Sequence, residues 1–336
     1  MSASISRRRF IRISGAVAGL TLGTSLRAAP VAAATNGADP TVWRGTMLGA
    51  VATMKIYHPD GREAERLISA ACAEARRLER LFSLYLPDSD LVRFNRTGFL
   101  ANPATEFVDL LEASLRYAEI TDGVFDPTVQ PLWELYASHF AQTDADPGGP
   151  DPASVEVARA RVGYRRLSVG RDRIAAPRGT AITFNGIAQG YITDRVVDLL
   201  RTRGLTHTLV DMGETRTIGA RPDGEAWQVG IIDPEAPDLT AAVLTVVDRA
   251  VSTSGAYGFH FDSAGRFNHL LNPATGNCGH LYRSVTTVAG TAMAADALST
   301  AFSLMDRERI RALMSEAGIE RVHLIDVAGA VAELIA

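Results

Sequence analysis

The chain of 336 residues lacks much that would decide its class quickly. It has a single lysine, Lys55, and its basic side is otherwise all arginine, a bias that needs no functional reading. It has only two cysteines, Cys72 within a helical stretch and Cys278 in a glycine-flanked loop, and we expect them not to pair. No uninterrupted apolar run is long enough for a good membrane span. There is no G-x-x-x-x-G-K-[ST] or G-x-G-x-x-G loop, so no phosphate-binding motif with known mechanics applies. Paired carboxylates at a plausible spacing for glycoside cleavage are absent. Internal repeats are absent too.

What is present is ordinary globular material, 46% hydrophobic and 21% charged, enough for one large or two modest domains. The first 34 residues stand apart. Arg7, Arg8 and Arg9 precede Phe10-Ile11, a weakly apolar Gly/Ala stretch follows, and Ala32-Ala33-Ala34 offers a cleavage site. This pattern is that of a secretory signal, and the paired arginines resemble the twin-arginine export signal. We therefore expect a cleaved signal over 1–34, a periplasmic location and no stable membrane anchor. Residues 1–34 hold five arginines and no acid, so removing them takes the net charge from −4 to −9. A mature protein this acidic is a poor partner for nucleic acid.

The remainder, 35–336, reads as one α+β domain. Residues 51–56 alternate as a strand. Residues 63–82 and 104–121 have the period of amphipathic helices, and Ser89 is placed to cap a short helix between them. Asp126-Pro127 reads as a rigid turn between Phe125 and Trp133, either a packed corner or an aromatic rim for a planar ligand. Residues 141–154 are loop-rich, and a helix is expected over 155–162. Strands are expected at 167–169, 174–176, 208–212, 227–232 and 322–327, and one is expected to end at Phe184. Residues 249–257 (RAVSTSGAY) read as a turn with three hydroxyls. Residues 266–276 read as a strand carrying His269 into an Asn272-Pro273 turn. Helices are expected over 292–304 and 307–317.

Two stretches carry chemistry. In 285–304 (VTTVAGTAMAADALSTAFSL), Asp296 and Thr300 lie one turn apart on a helix of small residues. A carboxylate and a hydroxyl so placed suit a hard cation such as Mg²⁺, with room for a phosphate chain. The same residues also fit a buried Asp bonded locally and a Thr bonded back to its own helix. In 182–200 (ITFNGIAQGYITDRVVDLL), a strand, the Asn185-Gly186 turn and a helix N-terminus near Ala188 make either an anion site or a plain joint. His269 is either a catalyst or a satisfied structural histidine.

Four segments together resemble one family, the ApbE-type FAD:protein FMN transferases: GVFDPTVQPLW (123–133), NGIAQGYITDRV (185–196), TSGAY with HLLNPATG (253–257, 269–276) and AADALSTAF (294–302). The resemblance runs from Thr46 onward. It implies a compact, two-lobed α+β fold (T-fold-like) with mixed or antiparallel sheets, flanking helices and an FAD cleft between the lobes. It implies Mg²⁺-dependent transfer of FMN from FAD to a threonine hydroxyl of a target flavoprotein, with release of AMP. Asp296 and Thr300 would be side-chain ligands of the metal, and the Gly186 region would give a backbone carbonyl. Leu48 and Tyr85 would contact FAD, and Val124, Phe125 and Asp126 would line its adenine or ribose side. His269 matches the family histidine linked to transfer, and Asp296 is the second candidate base. The chain departs from the family pattern at Thr183, Gln189, Glu214 and Asn272, each change altering charge near the diphosphate. Exported relatives associated with nitrous oxide reduction are similar in this respect, which points to a membrane electron-transfer subunit, such as the nitrous-oxide reductase regulator, as one candidate acceptor. Hydrolysis of FAD to FMN and AMP, or flavin binding without catalysis, are the alternatives.

Overall fold

The computed structural model describes residues 39–336 apart from 48 and 237. The expected export signal and Leu48 lie outside the described residues. In chain order the elements are β1 (Thr41–Met47), β2 (Ala50–Ile56), α1 (Gly61–Phe82), α2 (Asp90–Thr97), β3 (Phe99–Ala101), α3 (Thr105–Ile120), α4 (Gln130–Phe140), α5 (Pro152–Arg159), β4 (Ser168–Val169), β5 (Arg173–Ala175) and α6 (Ala188–Thr202). Then follow β6 (Thr208–Asp211), β7 (Thr215–Ile218), β8 (Trp227–Ile232), β9 (Thr240–Val246), β10 (Ala250–Gly255), β11 (Tyr282–Ala289), α7 (Ala292–Phe302), α8 (Arg307–Met314), β12 (Ile319–Asp326) and β13 (Val331–Ile335). Eight strands form one antiparallel sheet in the order β1-β2-β6-β7-β10-β11-β12-β13. The fold is α+β, with a three-stranded sheet β3-β5-β4 and a hairpin β8-β9 as satellites.

The helices form where apolar periodicity meets a capping residue. Asp60 accepts from the amides of Arg62 and Glu63 at the start of α1, and Ser89 from Val92 at the start of α2. Helix α1 buries Leu67, Ala71, Ala75 and Leu78 in the same core as Met54 and Ile56 of β2. Helix α6 packs between α1 and α7, and α7 lies against β10 and β11. Strand alternation sorts β10 by face. Val251 joins Trp227, Val229 and Leu244 in a second core under the β8-β9 hairpin. Ser252 and Ser254 turn the other way and meet Ser299 of α7. A third cluster under residues 256–280 centres on Leu132, Tyr136, Leu271 and Cys278, with Phe261 and Phe267 packed on it. Cys72 and Cys278 are both buried free thiols.

Three expectations about strands are corrected. Residues 249–257 are no turn, since residues 250–255 form β10 at the centre of the large sheet. Their hydroxyls replace apolar packing, as when Thr253 bonds Thr286 across the ladder at 2.8 Å. No strand ends at Phe184, although residues 181–184 run free of turns and helix. Their backbone finds side chains instead, the amide and carbonyl of Ile182 both bonding Asn95 at 2.8 Å. Residues 266–276 are no strand either. They make only isolated bridges, His260 with Asn268 and Leu271 with Cys278. Asn272 folds the next turn by accepting from the amides of Ala274 and Thr275. The helix α4 after Asp126-Pro127 was not foreseen.

Candidate active site

The site is built on the junction of α6 and α7. Thr291 caps α7 by accepting from the amide of Ala294, and the buried carboxylate of Asp194 accepts from the amides of Ala292 and Met293 at 2.8 and 2.9 Å. Arg216 of β7 pairs with the same carboxylate. The start of α7 is thus tied to α6 by a charge-assisted cap. One turn of α6 earlier, Gly190 lets the helices touch: a Cβ there would lie 2.3 Å from the carbonyl oxygen of Ala292. Its amide donates to Asp296 Oδ2 at 3.0 Å.

Asp296 therefore has one oxygen held by backbone, and it lines the cavity. Thr300 faces across, its hydroxyl 3.2 Å from Ser254 Oγ, and it is Ser299 that bonds back to the helix, at the Asp296 carbonyl. Gly186 brings the 185–187 turn against this hydroxyl, because a Cβ there would sit 3.0 Å from Thr300 Oγ1. The arrangement departs from a locally satisfied pair in both members.

Between these walls lies a cavity of about 110 Å³. Asp296, Thr300, Glu214, Gln189, Gly186, Thr183 and His269 all line it. Through shared walls at Tyr257 and Gly258 it adjoins a broader hollow of about 730 Å³ lined by Phe140, Phe259 and Phe261. Burial dominates the electrostatics. It raises the pKa of Asp296, and it raises that of Glu214 with the Asp296 charge adding to the effect. Asp211, behind Glu214, is pushed up to about 6. His269 is a partly buried residue on this wall, and burial pushes its pKa down to about 4. Its Nδ1 lies 3.3 Å from the Phe259 carbonyl, which assigns the proton to Nδ1 and leaves Nε2 as an acceptor. Burial thus favours the neutral ring.

Two polar groups at the cavity have no protein partner. The Gln189 amide nitrogen and the Tyr257 hydroxyl are buried without hydrogen bonds. Gln189 presses on Gly213, where a Cβ would come within 2.6 Å of its amide nitrogen and where φ is +100°. Glycine is required there on both counts.

The other expected residues lie further out. Val124, Phe125 and Asp126 are not on the cavity wall, which Val129, Gln130 and Trp133 form instead. Phe125 stands behind Gly186. Both oxygens of Asp126 are spent on Thr128 and the amide of Tyr164. Tyr85 is not on the cavity wall, but its hydroxyl bonds Asn185, which is. Asn272 is used in its own turn. Ser254 and Tyr257 were missed as wall residues, whereas Glu214, expected near the diphosphate as a departure from the family pattern, does line the cavity.

Most candidate ligand atoms are oxygens, one carboxylate pair and the hydroxyls, with His269 the one imidazole on the wall. Among the described residues no three His, Cys, Asp or Glu side chains cluster as a metal site. A cation held here would thus share one or two carboxylates with ligand oxygens, which is the habit of Mg²⁺ with substrate phosphates. The orphaned Gln189 amide is a donor suited to such an anionic oxygen. Both groups fit the residues present.

An antiparallel sheet thus backs a cleft of carboxylates, hydroxyls and an unpaired amide beside an aromatic hollow. The chain belongs to the ApbE family, whose model matches residues 48–323. It is 30% identical over 303 residues to a Klebsiella pneumoniae protein named FAD:protein FMN transferase, covering 85% of each chain. It is 29% identical over 301 residues to a Salmonella typhimurium protein of the same name, again covering 85% of each. Among solved structures, it resembles the Pseudomonas stutzeri flavinyl transferase ApbE in its apo form, at 28% identity and TM-score 0.74, over 88% of this chain and 96% of that one. The ApbE protein of Thermotoga maritima matches at 26% identity and TM-score 0.79, over 87% and 96%.

Proposed function

We propose that this chain transfers FMN from FAD to a threonine hydroxyl of a target flavoprotein with Mg²⁺ present, and that it does so in the periplasm after twin-arginine export. The observation that carries the reading is the pairing of Asp296 with Thr300 and Gly186 on a cavity that also holds an unpaired amide donor. In the reaction the acceptor oxygen bonds the FMN phosphorus, the bridging bond to AMP breaks, and the hydroxyl proton must leave. Bound Mg²⁺ would neutralise the diphosphate oxygens as charge moves onto the leaving AMP.

The chain's own residues do the rest. Asp296 and Thr300 would hold the metal, with the Gly186 carbonyl beside them. Gln189 donates to a diphosphate oxygen, and Thr183 stands on the same wall. The start of α6 adds the positive end of its dipole. His269 Nε2 is a neutral acceptor that fixes the incoming hydroxyl and takes up its proton. The aromatic hollow holds the planar part of FAD. A membrane electron-transfer subunit is one class of acceptor that an exported transferase would meet.

The test is a pair of variants assayed with FAD, Mg²⁺ and an acceptor domain. Asp296→Ala should abolish metal-dependent transfer. His269→Ala should keep FAD bound and stop transfer, and labelling at the wild-type rate would remove His269 from the mechanism.

A further inference from the structure

Glu214 sits where the end of β6 bends into β7, and the residue is 7% exposed. Gly213 makes the bend, donating its amide to Asp211 at 3.1 Å, so that the Glu214 side chain turns inward onto the cavity. There it shares the cavity wall with Asp296. Its carboxyl has one hydrogen-bonding side chain, the hydroxyl of Ser252. Among the described residues no lysine or arginine lines the cavity. The guanidinium of Arg216 is committed to Asp194.

Two buried carboxylates with no protein cation between them are costly, because neither the lost water nor the mutual repulsion is compensated. A monovalent fix from the protein is absent, and a divalent cation would answer both charges at once. The Gln189 amide points to a ligand independently. It is 7% exposed, lines the same cavity, and its nitrogen has no partner, so it lacks the anionic oxygen that a metal-bound phosphate would bring.

We propose that Glu214 supplies a second carboxylate oxygen to the divalent cation held by Asp296 and Thr300. The assignment rests on the flavin-transfer reading above. It makes the site a two-carboxylate centre, with Glu214 reaching from the sheet and Asp296 from α7, so that the metal locks the β6-β7 turn to the helix.

The test uses Mn²⁺ as the probe and FAD-loaded protein, with free Mn²⁺ counted by its EPR signal. Glu214→Gln keeps the volume and the bond to Ser252. It should weaken Mn²⁺ binding at least tenfold, and Glu214→Ala should do the same. Melting in EDTA is the control for folding. If the role is charge, Glu214→Gln melts no lower than wild type, since a buried like-charge contact is gone. Mn²⁺ affinity within twofold of wild type in Glu214→Gln, with or without a fall in melting temperature, would overturn the proposal and leave Glu214 a structural residue. Binding that Asp296→Ala loses and Glu214→Gln keeps overturns this assignment alone. Absence of Mn²⁺ binding to the wild type would overturn the metal reading and this assignment together.

Discussion

Replacing Gly190 by alanine tests whether the α6-α7 contact sets the site. The added Cβ would lie 2.3 Å from the carbonyl oxygen of Ala292, 2.6 Å from its carbonyl carbon and 2.7 Å from Cα of Met293. All three are backbone atoms, so no rotamer change relieves the clash. Restoring ordinary contact requires the helices to part by about 1 Å. Parting stretches the bond from Gly190 to Asp296 Oδ2, now 3.0 Å, towards the limit of a useful hydrogen bond. Overpacking of this kind costs about 1–3 kcal/mol. Weakening a hydrogen bond to a buried carboxylate adds roughly 1.5–3 kcal/mol at most. Against this, alanine gains about 1 kcal/mol over glycine inside a helix. The net loss is about 2–4 kcal/mol, which for a domain of this size lowers Tm by roughly 4–10 °C. Calorimetry on the metal-free protein gives the shift, and a Mn²⁺ titration should show weaker binding in step with it. A Gly190→Ala protein that melts at or above wild type would refute the reasoning, because propensity alone predicts a gain.

The contrasting substitution is Gly61→Ala at the first position of α1, where a Cβ meets nothing within 4 Å; it should raise stability by up to about 1 kcal/mol, seen as a small rise in the same calorimetric scan. His269 gives a pH signature. Its folded pKa of about 4 lies below the ordinary 6.5, so the protonated ring is disfavoured in the fold. Stability from this group is therefore complete above about pH 6.5 and is lost as pH falls towards 4, by up to about 3 kcal/mol. Buried Asp211, raised to about 6, acts in the opposite sense, so the measurement is the difference between wild type and His269→Asn across pH 4–7. The advantage of wild type over the variant should shrink as the pH is lowered, and a flat difference would contradict the assigned neutral ring.

The residues of the site that could be read in advance owe this to local geometry. Asp296 and Thr300 share a face because a helix repeats every 3.6 residues, and α7 keeps that spacing. The turn at Asn185-Gly186 and the start of α6 at Ala188 follow from glycine and periodicity alone. What could not be read depends on neighbours far along the chain. Residues 250–255 look like a turn until β11 and α7 supply partners for their hydroxyls. Residues 181–184 look like a strand, but Asn95, nearly ninety positions away, takes the backbone bonds that a neighbouring strand would have made. Asp194 reads as one more polar helix residue, and only the fold shows it capping α7. Glu214 stands out in the sequence only as a departure from the family pattern, because the burial of a charge is decided by the sheet and helix that close over it. The pKa of His269 is likewise a property of its surroundings.

The central claim is that the cavity transfers FMN to a protein hydroxyl. The most direct measurement incubates the mature protein with FAD, Mg²⁺ and a candidate acceptor domain, and reads covalent FMN on the acceptor by in-gel fluorescence alongside AMP release. The account predicts a fluorescent acceptor and AMP in equal amount, both lost with EDTA. Free FMN and AMP with an unlabelled acceptor would show water taking the place of the hydroxyl, and intact FAD under every condition would show a binding protein; either result would contradict the account.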